Sequence, residues 1–517
     1  MMPIHPFLFA AYIVVSLYAN NAAQVPVGQM IRPLVFSLLL AAGLYWLFHR
    51  WSRDKQYAAY AASWTLLWLG LFGHLYQAVN LAFLVSAGRA ASEWLTLAAW
   101  TLVMGLLGTR QAWKSIRNKK LVNEVLTAIA IGAAIVPLLT IASPLYQDRV
   151  SSQTVRDWMV SLPKVEAVSD TDLPDIYYVI LDGYGRRDVL QEHYGFDNSE
   201  FIEGLTDRGF FVAEQSHSNY VQTSLSIASA LNMEYVNFLA NSGAEIRSPA
   251  YRMVDDSRLR GILEREGYKT VNISSPALFT QLADYDVFLS PGKSSLSQFE
   301  RLLISTSAVA PLLRDGDLLL PGYHSHRGYT LFAFDQLPEA AKVPGPKFVF
   351  VHIVAPHPPF VFDALGNPIQ PARTYLLNDA SGFPGSKQEY IDGYINQVRF
   401  VNSRTLRAVD AILQNSDHPA IILLQGDHGP GAYTNLFDIE KSCHRERGSI
   451  LNAYYFPDRQ YGLLSSDITP VNTFRVILDQ YFDAGLPLLE NRTYFSYWDD
   501  PYNFVDVTDQ LETPCQP

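Results

Sequence analysis

The sequence predicts two architectures in one chain: a multi-pass α-helical membrane domain of five spans, then an α/β domain with a mostly parallel sheet covered by helices. Three observations predict it. The first 150 residues hold five long, nearly uncharged apolar runs, and the Lys and Arg between those runs alternate from one connection to the next. Beyond about residue 174, short β-rich apolar runs recur between stretches with helical spacing.

The five runs cover residues 3–18, 33–48, 57–76, 94–108 and 125–142. About 20 apolar residues cross the roughly 30 Å of a bilayer's hydrocarbon, so each is read as a span. No basic stretch precedes the first run and no small-residue cleavage site follows it, so it is read as retained rather than as a signal peptide. Arg50, Arg53 and Lys55 lie between the second and third runs, and Arg110, Lys114, Arg117, Lys119 and Lys120 between the fourth and fifth. Positive short loops stay on the cytoplasmic side, which puts the amino terminus inside and the chain after about residue 143 outside. The expected domains are therefore a membrane domain over 1–143, a polar juxtamembrane linker over 144–173, and an extracytoplasmic domain over 174–517.

Charge is divided in the same way. The formal net charge is −11, yet residues 1–150 carry 11 Lys and Arg against 4 Asp and Glu, leaving a strongly acidic remainder. An acidic exported domain excludes non-specific nucleic-acid binding, which needs a basic surface to displace counterions from phosphates. The spans contain almost no ionisable residues besides His74, which argues against a transporter. Both cysteines, Cys443 and Cys515, fall in the exported part, where a disulfide persists if geometry allows it. Spacing alone leaves bridge and free thiols open.

In the second part the strands are expected at 176–181, 269–273, 348–353 and 420–424, separated by long helical stretches. Polar residues sit just past several carboxyl ends. Asp182 follows the first strand, His357 follows the third, with His352 inside it, and Asp427-His428 follows the fourth. Ligands bind at this edge of an open α/β sheet. Asp182-Gly183 alone also suits a tight turn, as does Asp427-His428-Gly429-Pro430, although an adjacent Asp and His offer a hard oxygen and a borderline nitrogen to one divalent cation. Thr223 stands near the N-cap of a helix read from Leu225, Ala228 and Leu231. A hydroxyl there caps the helix, or attacks a phosphoryl group whose oxygens rest on free backbone N–H groups; the segment leaves both open.

The ordered set Ile180-Leu181-Asp182-Gly183-Tyr184, Gln222-Thr223-Ser224-Leu225-Ser226, His352-x-x-x-x-His357-Pro358-Pro359 and Gln425-Gly426-Asp427-His428-Gly429 resembles the alkaline phosphatase superfamily. It looks most like the sulfatase-like hydrolase/transferase branch, whose membrane members include lipoteichoic acid synthase and the phosphoethanolamine transferases. The likeness covers roughly residues 174–485 and implies an alkaline-phosphatase-like α/β fold. It also implies that Asp182, Asp427 and His428 hold one divalent metal, with Zn or Mn favoured and Mg compatible, and that Thr223 is the nucleophile completing its coordination. His357 matches a histidine that contacts the phosphate or assists the leaving group. His352 is expected to support it, and His444, Arg445 and Arg447 are candidates for binding a substrate phosphate.

Departures narrow the chemistry. The Cys/Ser-x-Pro-x-Arg motif of true sulfatases is absent around Thr223, and no second ligand set such as Pro-Asp-x-x-Gly-His is found. Asp182 stands where some transferases place Glu. The implied function is a metal-dependent phosphotransferase in a bacterial-type inner membrane. It moves a phosphoglycerol- or phosphoethanolamine-type group from a phospholipid donor to an extracytoplasmic glycan or lipid acceptor through a phosphothreonine. A phosphatase or phosphodiesterase on the same site is the first alternative, and a non-catalytic envelope protein that binds glycan or acts as a scaffold is the second.

Overall fold

The structure, a computed structural model, describes residues 3–22, 25, 27–83, 89–161, 173–244, 246–291, 296–313, 322–369 and 375–515. They form two compact units, Met1–Tyr146 with Ser294–Gly322, and Gln147–Lys293 with Tyr323–Pro517.

The first unit is helical. His5–Ala19, Gly28–Ser52, Lys55–Phe83, Arg89–Gly108 and the start of Lys119–Ser161 coincide with the five apolar runs. Among the described residues, two helices are long and apolar enough to cross a membrane by length and composition, Gly28–Ser52 and Lys119–Ile141, where the sequence reading expects five spans. The 15 residues of His5–Ala19 reach only about 22 Å at 1.5 Å per residue. The apolar stretch Glu93–Gly108 is similarly short, and Lys55–Phe83 is diluted by Gln56, Ser63, Thr65 and His74. Apolar side chains cover much of this unit's surface: Phe36, Leu39, Leu102 and Leu139 are all exposed. Within the unit, Gln298–Ser305 packs back on the helices. Phe299 meets the Tyr18 ring edge-on, Glu300 pairs with Arg32, and the Gly73 N–H donates to the Thr306 carbonyl at 2.9 Å.

The second unit is built on a seven-stranded sheet. Its strands are β1 (Asp175–Leu181), β2 (Phe211–Val212), β3 (Lys269–Ile273), β4 (Val287–Leu289), β5 (Lys347–Ile353), β6 (Ala420–Gln425) and β7 (Asn452–Tyr455), in the order β2-β7-β6-β1-β5-β3-β4. β6, β1, β5, β3 and β4 run parallel, with Val179 opposite Val351 on one side and Leu424 on the other, while β7 and β2 add an antiparallel edge. The four expected strands are the central ones. Their unbroken apolar runs follow from burial on both faces. Ile176, Tyr178, Ile180, Phe350 and Leu423 pack on one side against helices Thr223–Asn232 and Pro470–Phe482, and Tyr177, Val179, Val351 and Leu424 on the other against Tyr323–Ala340 and Lys387–Asn415. A parallel sheet with both faces covered places all four carboxyl ends along one edge.

Two sequence expectations change here. Residues 144–161, the first part of the stretch 144–173 read as linker, are helical, and Val155, Trp158 and Met159 make an apolar stripe at helical spacing, with Trp158 stacked on Phe238 at 4.4 Å; 162–172 lie outside the described residues. The stretch 294–322, expected within the α/β domain, groups with the helical unit.

Candidate active site

β1 ends at Leu181, and the turn after it needs Gly183 at φ +73°, a conformation that disfavours a Cβ. This turn puts Asp182 at the sheet edge and aims the Gly183 N–H at Asp427 Oδ1, 3.0 Å away. β6 ends at Gln425, and Asp427-His428 follow in a loop so close to the Glu446 carbonyl that a Cβ on Gly429 would lie 2.0 Å from its oxygen. Asp182, Asp427 and His428 converge there, buried, with one ligand atom from each within 4.8 Å of the others. Thr223 is the first residue of Thr223–Asn232, one position past the N-cap Gln222, and its Oγ1 lies 3.1 Å from His428 Nε2. The Thr223 side chain thus faces the cluster while the free N–H groups of the helix's first turn open beside it.

The donor set fits a divalent cation. Asp182 Oδ1 and Asp427 Oδ2 are buried with no hydrogen-bond partner among the described residues, and they lie 3.6 and 3.3 Å from His428 Nε2. Two buried carboxylate oxygens left unmatched are costly unless a cation meets them. Each ligand is also fixed from behind. His428 Nδ1–H donates to the Gly429 carbonyl at 2.8 Å, leaving the Nε2 lone pair facing the carboxylates, and His352 Nε2 holds Asp182 Oδ2 at 3.1 Å. Burial opposes ionisation of Asp182, but the neighbouring His357, His352 and His428 hold its carboxyl below the usual carboxylate range. The other cluster of potential ligands among the described residues, His193 with Cys443 and Cys515, is different in kind, because those cysteines form a disulfide with Cα atoms 5.0 Å apart.

A cavity of about 230 Å³ opens over the cluster, lined in part by Asp182, Thr223, His352, His357, His428 and Arg447. His357 reaches it from the loop after β5, its backbone N–H donating to the Asp182 carbonyl at 2.9 Å and its Nδ1 contacting the Pro358 carbonyl. Its Nε2 lies 3.9 Å from Asp379. Burial alone would lower its pKa, and Asp182 and Asp379 outweigh that and raise it. Arg447 sits in the wall, buried, with Nη2 3.1 Å from His428 Nε2 and Nη1 2.5 Å from Asp379 Oδ2.

Of the other residues singled out in the sequence, His352 lies behind Asp182 as well as along the cavity. Arg445 is not brought to the cavity: its guanidinium binds Glu192, Asp188 and Glu512. Two residues along a helix point about 200° apart, so Arg445 and Arg447 on His444–Gly448 face opposite ways. His444 is buried edge-on against Phe495 and does not line the cavity. Asp379 was missed. It lies in the irregular stretch before Lys387–Asn415, also accepts from Tyr390 at 2.7 Å, and is held below the usual carboxylate range by Arg447 and His357 against the effect of burial.

No curated protein matches the chain in sequence. Among solved structures, the C-terminal periplasmic domain of EcEptC from Escherichia coli is 12% identical with a TM-score of 0.45, covering 68% of this chain and 98% of that one. The same domain in complex with Zn is 14% identical at a TM-score of 0.44, covering 68% and 98%. The integral membrane lipooligosaccharide phosphoethanolamine transferase A of Neisseria meningitidis is 14% identical at a TM-score of 0.38, covering 93% and 94%. The Sulfatase family model matches residues 174–474, more than half of the chain and the stretch that carries Asp182, Thr223, His357, Asp427 and His428. The chain, with its parallel sheet and its cluster at the strand ends, belongs to the Sulfatase family, the sulfatase-like branch of the alkaline phosphatase superfamily.

Proposed function

We propose that the protein is a membrane-anchored phosphotransferase. It moves a phosphoglycerol- or phosphoethanolamine-type group from a phospholipid donor to an extracytoplasmic glycan or lipid acceptor, by way of a phosphothreonine on Thr223. The observation that carries this reading is the position of the Thr223 hydroxyl. It stands at the first residue of a helix, 3.1 Å from His428 Nε2 and beside two buried carboxylate oxygens without partners.

In this reading Asp182, Asp427, His428 and Thr223 hold one divalent metal, Zn or Mn for a mixed oxygen and nitrogen set. Bound there, the metal supplies Lewis acidity that lowers the hydroxyl pKa and offsets charge on the phosphoryl oxygens. Thr223 reacts as its alkoxide, its proton already released to solvent. Its oxygen forms a new bond to phosphorus, the bond from phosphorus to the departing alcohol breaks, and that alcohol takes a proton from His357 Nε2. Free N–H groups of the helix's first turn receive the phosphoryl oxygens. The acceptor hydroxyl then gives its proton to His357 as its oxygen attacks phosphorus, and Thr223 leaves as alkoxide. Asp379 favours the charged His357 with which the cycle begins and ends, the imidazole being neutral between the two halves, and Arg447 holds Asp379 in place.

The helical unit serves as the anchor, with the five helices of 1–143 as spans, residues 144–173 leading out, and the α/β part of 174–517 outside a bacterial-type inner membrane. The exposed apolar faces of Gly28–Ser52 and Lys119–Ile141 support immersion in lipid. The test is product analysis with mixed phospholipid vesicles and a lipid or glycan acceptor. A modified acceptor is expected. Free headgroup alone would favour the hydrolase, and Thr223→Ala with unchanged turnover and metal bound would refute the covalent step.

A further inference from the structure

Arg247, half-buried, stands apart from the buried arginines of the α/β unit. Arg186 pairs with Asp188, Arg447 with Asp379 and Arg475 with Glu234, whereas Arg247 has no carboxylate within ion-pair distance among the described residues. It lines the same cavity as Thr223. Its guanidinium stacks on the Trp498 ring at 4.2 Å, Nε and Nη2 donate to Gln222 Oε1 at 3.2 and 2.8 Å, and Nη2 also meets the Trp498 carbonyl. Nη1 is left without a protein partner among the described residues. Burial pushes the guanidinium pKa down, and Tyr251, Tyr502 and Asp499, none of them in an ion pair with it, offset that only in part. A cation fixed so firmly in a cavity wall without a direct ion pair is a group that an anionic ligand stabilises.

The anion is not the phosphoryl group at Thr223. Gln222 and Thr223 are neighbours, but their side chains diverge: Thr223 turns to His428, and Gln222 turns to Arg247 and to Ser496 and Tyr497. Arg247 is therefore tied to the segment that carries Trp498, on the far side of Gln222 from the metal-ligand cluster. Rings surround it. Phe437 and Trp498 line the cavity while 51% and 43% exposed, and Tyr251 stacks on Phe279 at 4.8 Å along the same wall.

We propose that Arg247 recognises a second oxyanion of the substrate, a phosphate or carboxylate carried by the acceptor, through Nη1, while the acceptor's adjoining apolar surface rests on Trp498 and Phe437. The assignment to the acceptor rests on the transferase reading above, because a phosphoglycerol- or phosphoethanolamine-type glycerophospholipid donor carries one phosphate and that phosphate is the reacting one.

The test uses the full chain in detergent micelles and inorganic phosphate as the probe, titrated by phosphorus NMR, with acetate and methyl phosphate as competitors. Zinc-loaded wild type is expected to bind two phosphates, and Asp427→Ala and Arg247→Gln one each. In the Asp427→Ala background, adding Arg247→Gln is expected to weaken phosphate about tenfold or more, the loss of one charge-assisted bond, while Arg247→Lys keeps it. Retention in the lysine variant, with melting temperatures compared, separates anion binding from a merely structural bond to Gln222. Competition by acetate marks an oxyanion site in general, and competition by methyl phosphate alone marks a phosphate site; either supports the proposal. Phosphate binding that vanishes with Asp427→Ala alone, or survives Arg247→Gln in that background, overturns it. Equal zinc content in wild type and Asp427→Ala would instead refute the metal site and leave the Arg247 result standing.

Discussion

His352 Nε2 lies 3.1 Å from Asp182 Oδ2, while Asp182 Oδ1 on the same carboxylate is buried without a partner. One oxygen is held so that the other can point at His428. The imidazole is itself anchored, with Nδ1 3.1 Å from Thr280 Oγ1. Partners of this kind orient a ligand and tune its basicity, and their loss costs about 10–100-fold in metal affinity. His352→Ala is expected to lower zinc affinity by that factor while the protein stays folded, as read by zinc titration beside circular dichroism. Unchanged affinity would remove His352 from the account.

Arg447 joins Asp379, His428 and the Val221 carbonyl across the site. Replacing it with Met leaves Asp379 with the Tyr390 hydroxyl and the more distant His357, 3.9 Å away, to meet its charge. Breaking a buried pair from one side costs about 3–5 kcal/mol, which chemical denaturation at pH 7 measures. Asp379 is held below its ordinary value, so the pair's contribution is full above about pH 4 and is lost as pH falls through the folded value. The gap between Arg447→Met and wild type is expected to narrow in acid.

Glu446 gives the opposite sign. Burial raises its carboxyl to about 7, against hydrogen bonds from Tyr194, Tyr433 and Thr434 that favour the charged form. A carboxyl raised in the folded state contributes most below its unfolded pKa, and stability falls as pH rises from about 4.5 to about 7. The loss is on the order of 3 kcal/mol. Glu446→Gln, which keeps an acceptor for Tyr433 and Thr434, is expected to flatten that slope in denaturation curves at pH 5, 6, 7 and 8.

The Cys443–Cys515 disulfide closes a loop of 72 residues and ties the chain end to the helix that carries Arg447. In the chain-entropy account a loop of that length is worth about 4 kcal/mol. Cys515→Ser or reduction is expected to lower the melting temperature of the α/β unit. Equal melting temperatures with and without reductant would contradict the bridge.

The places of Asp182, Thr223, Asp427 and His428 were legible because each adjoins a signal that burial forces on the sequence, whereas their joint role came only from the resemblance of the whole ordered set. Two unbroken apolar strands precede Asp182 and Asp427, and an apolar helical stripe follows Thr223. Asp379 had no such marker, since it lies in irregular chain and its role comes from Arg447, 68 positions away. Arg447 and Arg445 look alike in a charged pentapeptide, and only the direction of a short helix separates one from the other. β2, β4 and β7 escaped notice because strands of 2, 3 and 4 residues carry too little periodicity. The same limit hid the packing of Gln298–Ser305. The apolar residues Phe299, Leu302 and Leu303 predict a buried helix face, but nothing local says that the helical unit covers it.

The most direct test of the account is the mass of the intact, zinc-loaded protein after exposure to mixed phospholipid vesicles, with peptide mapping of any adduct. The account predicts a phosphate-bearing addition on the peptide containing Thr223, with the mass of the transferred headgroup, and its absence in Thr223→Ala. An adduct on another residue, or full transfer by Thr223→Ala with zinc bound, would contradict it.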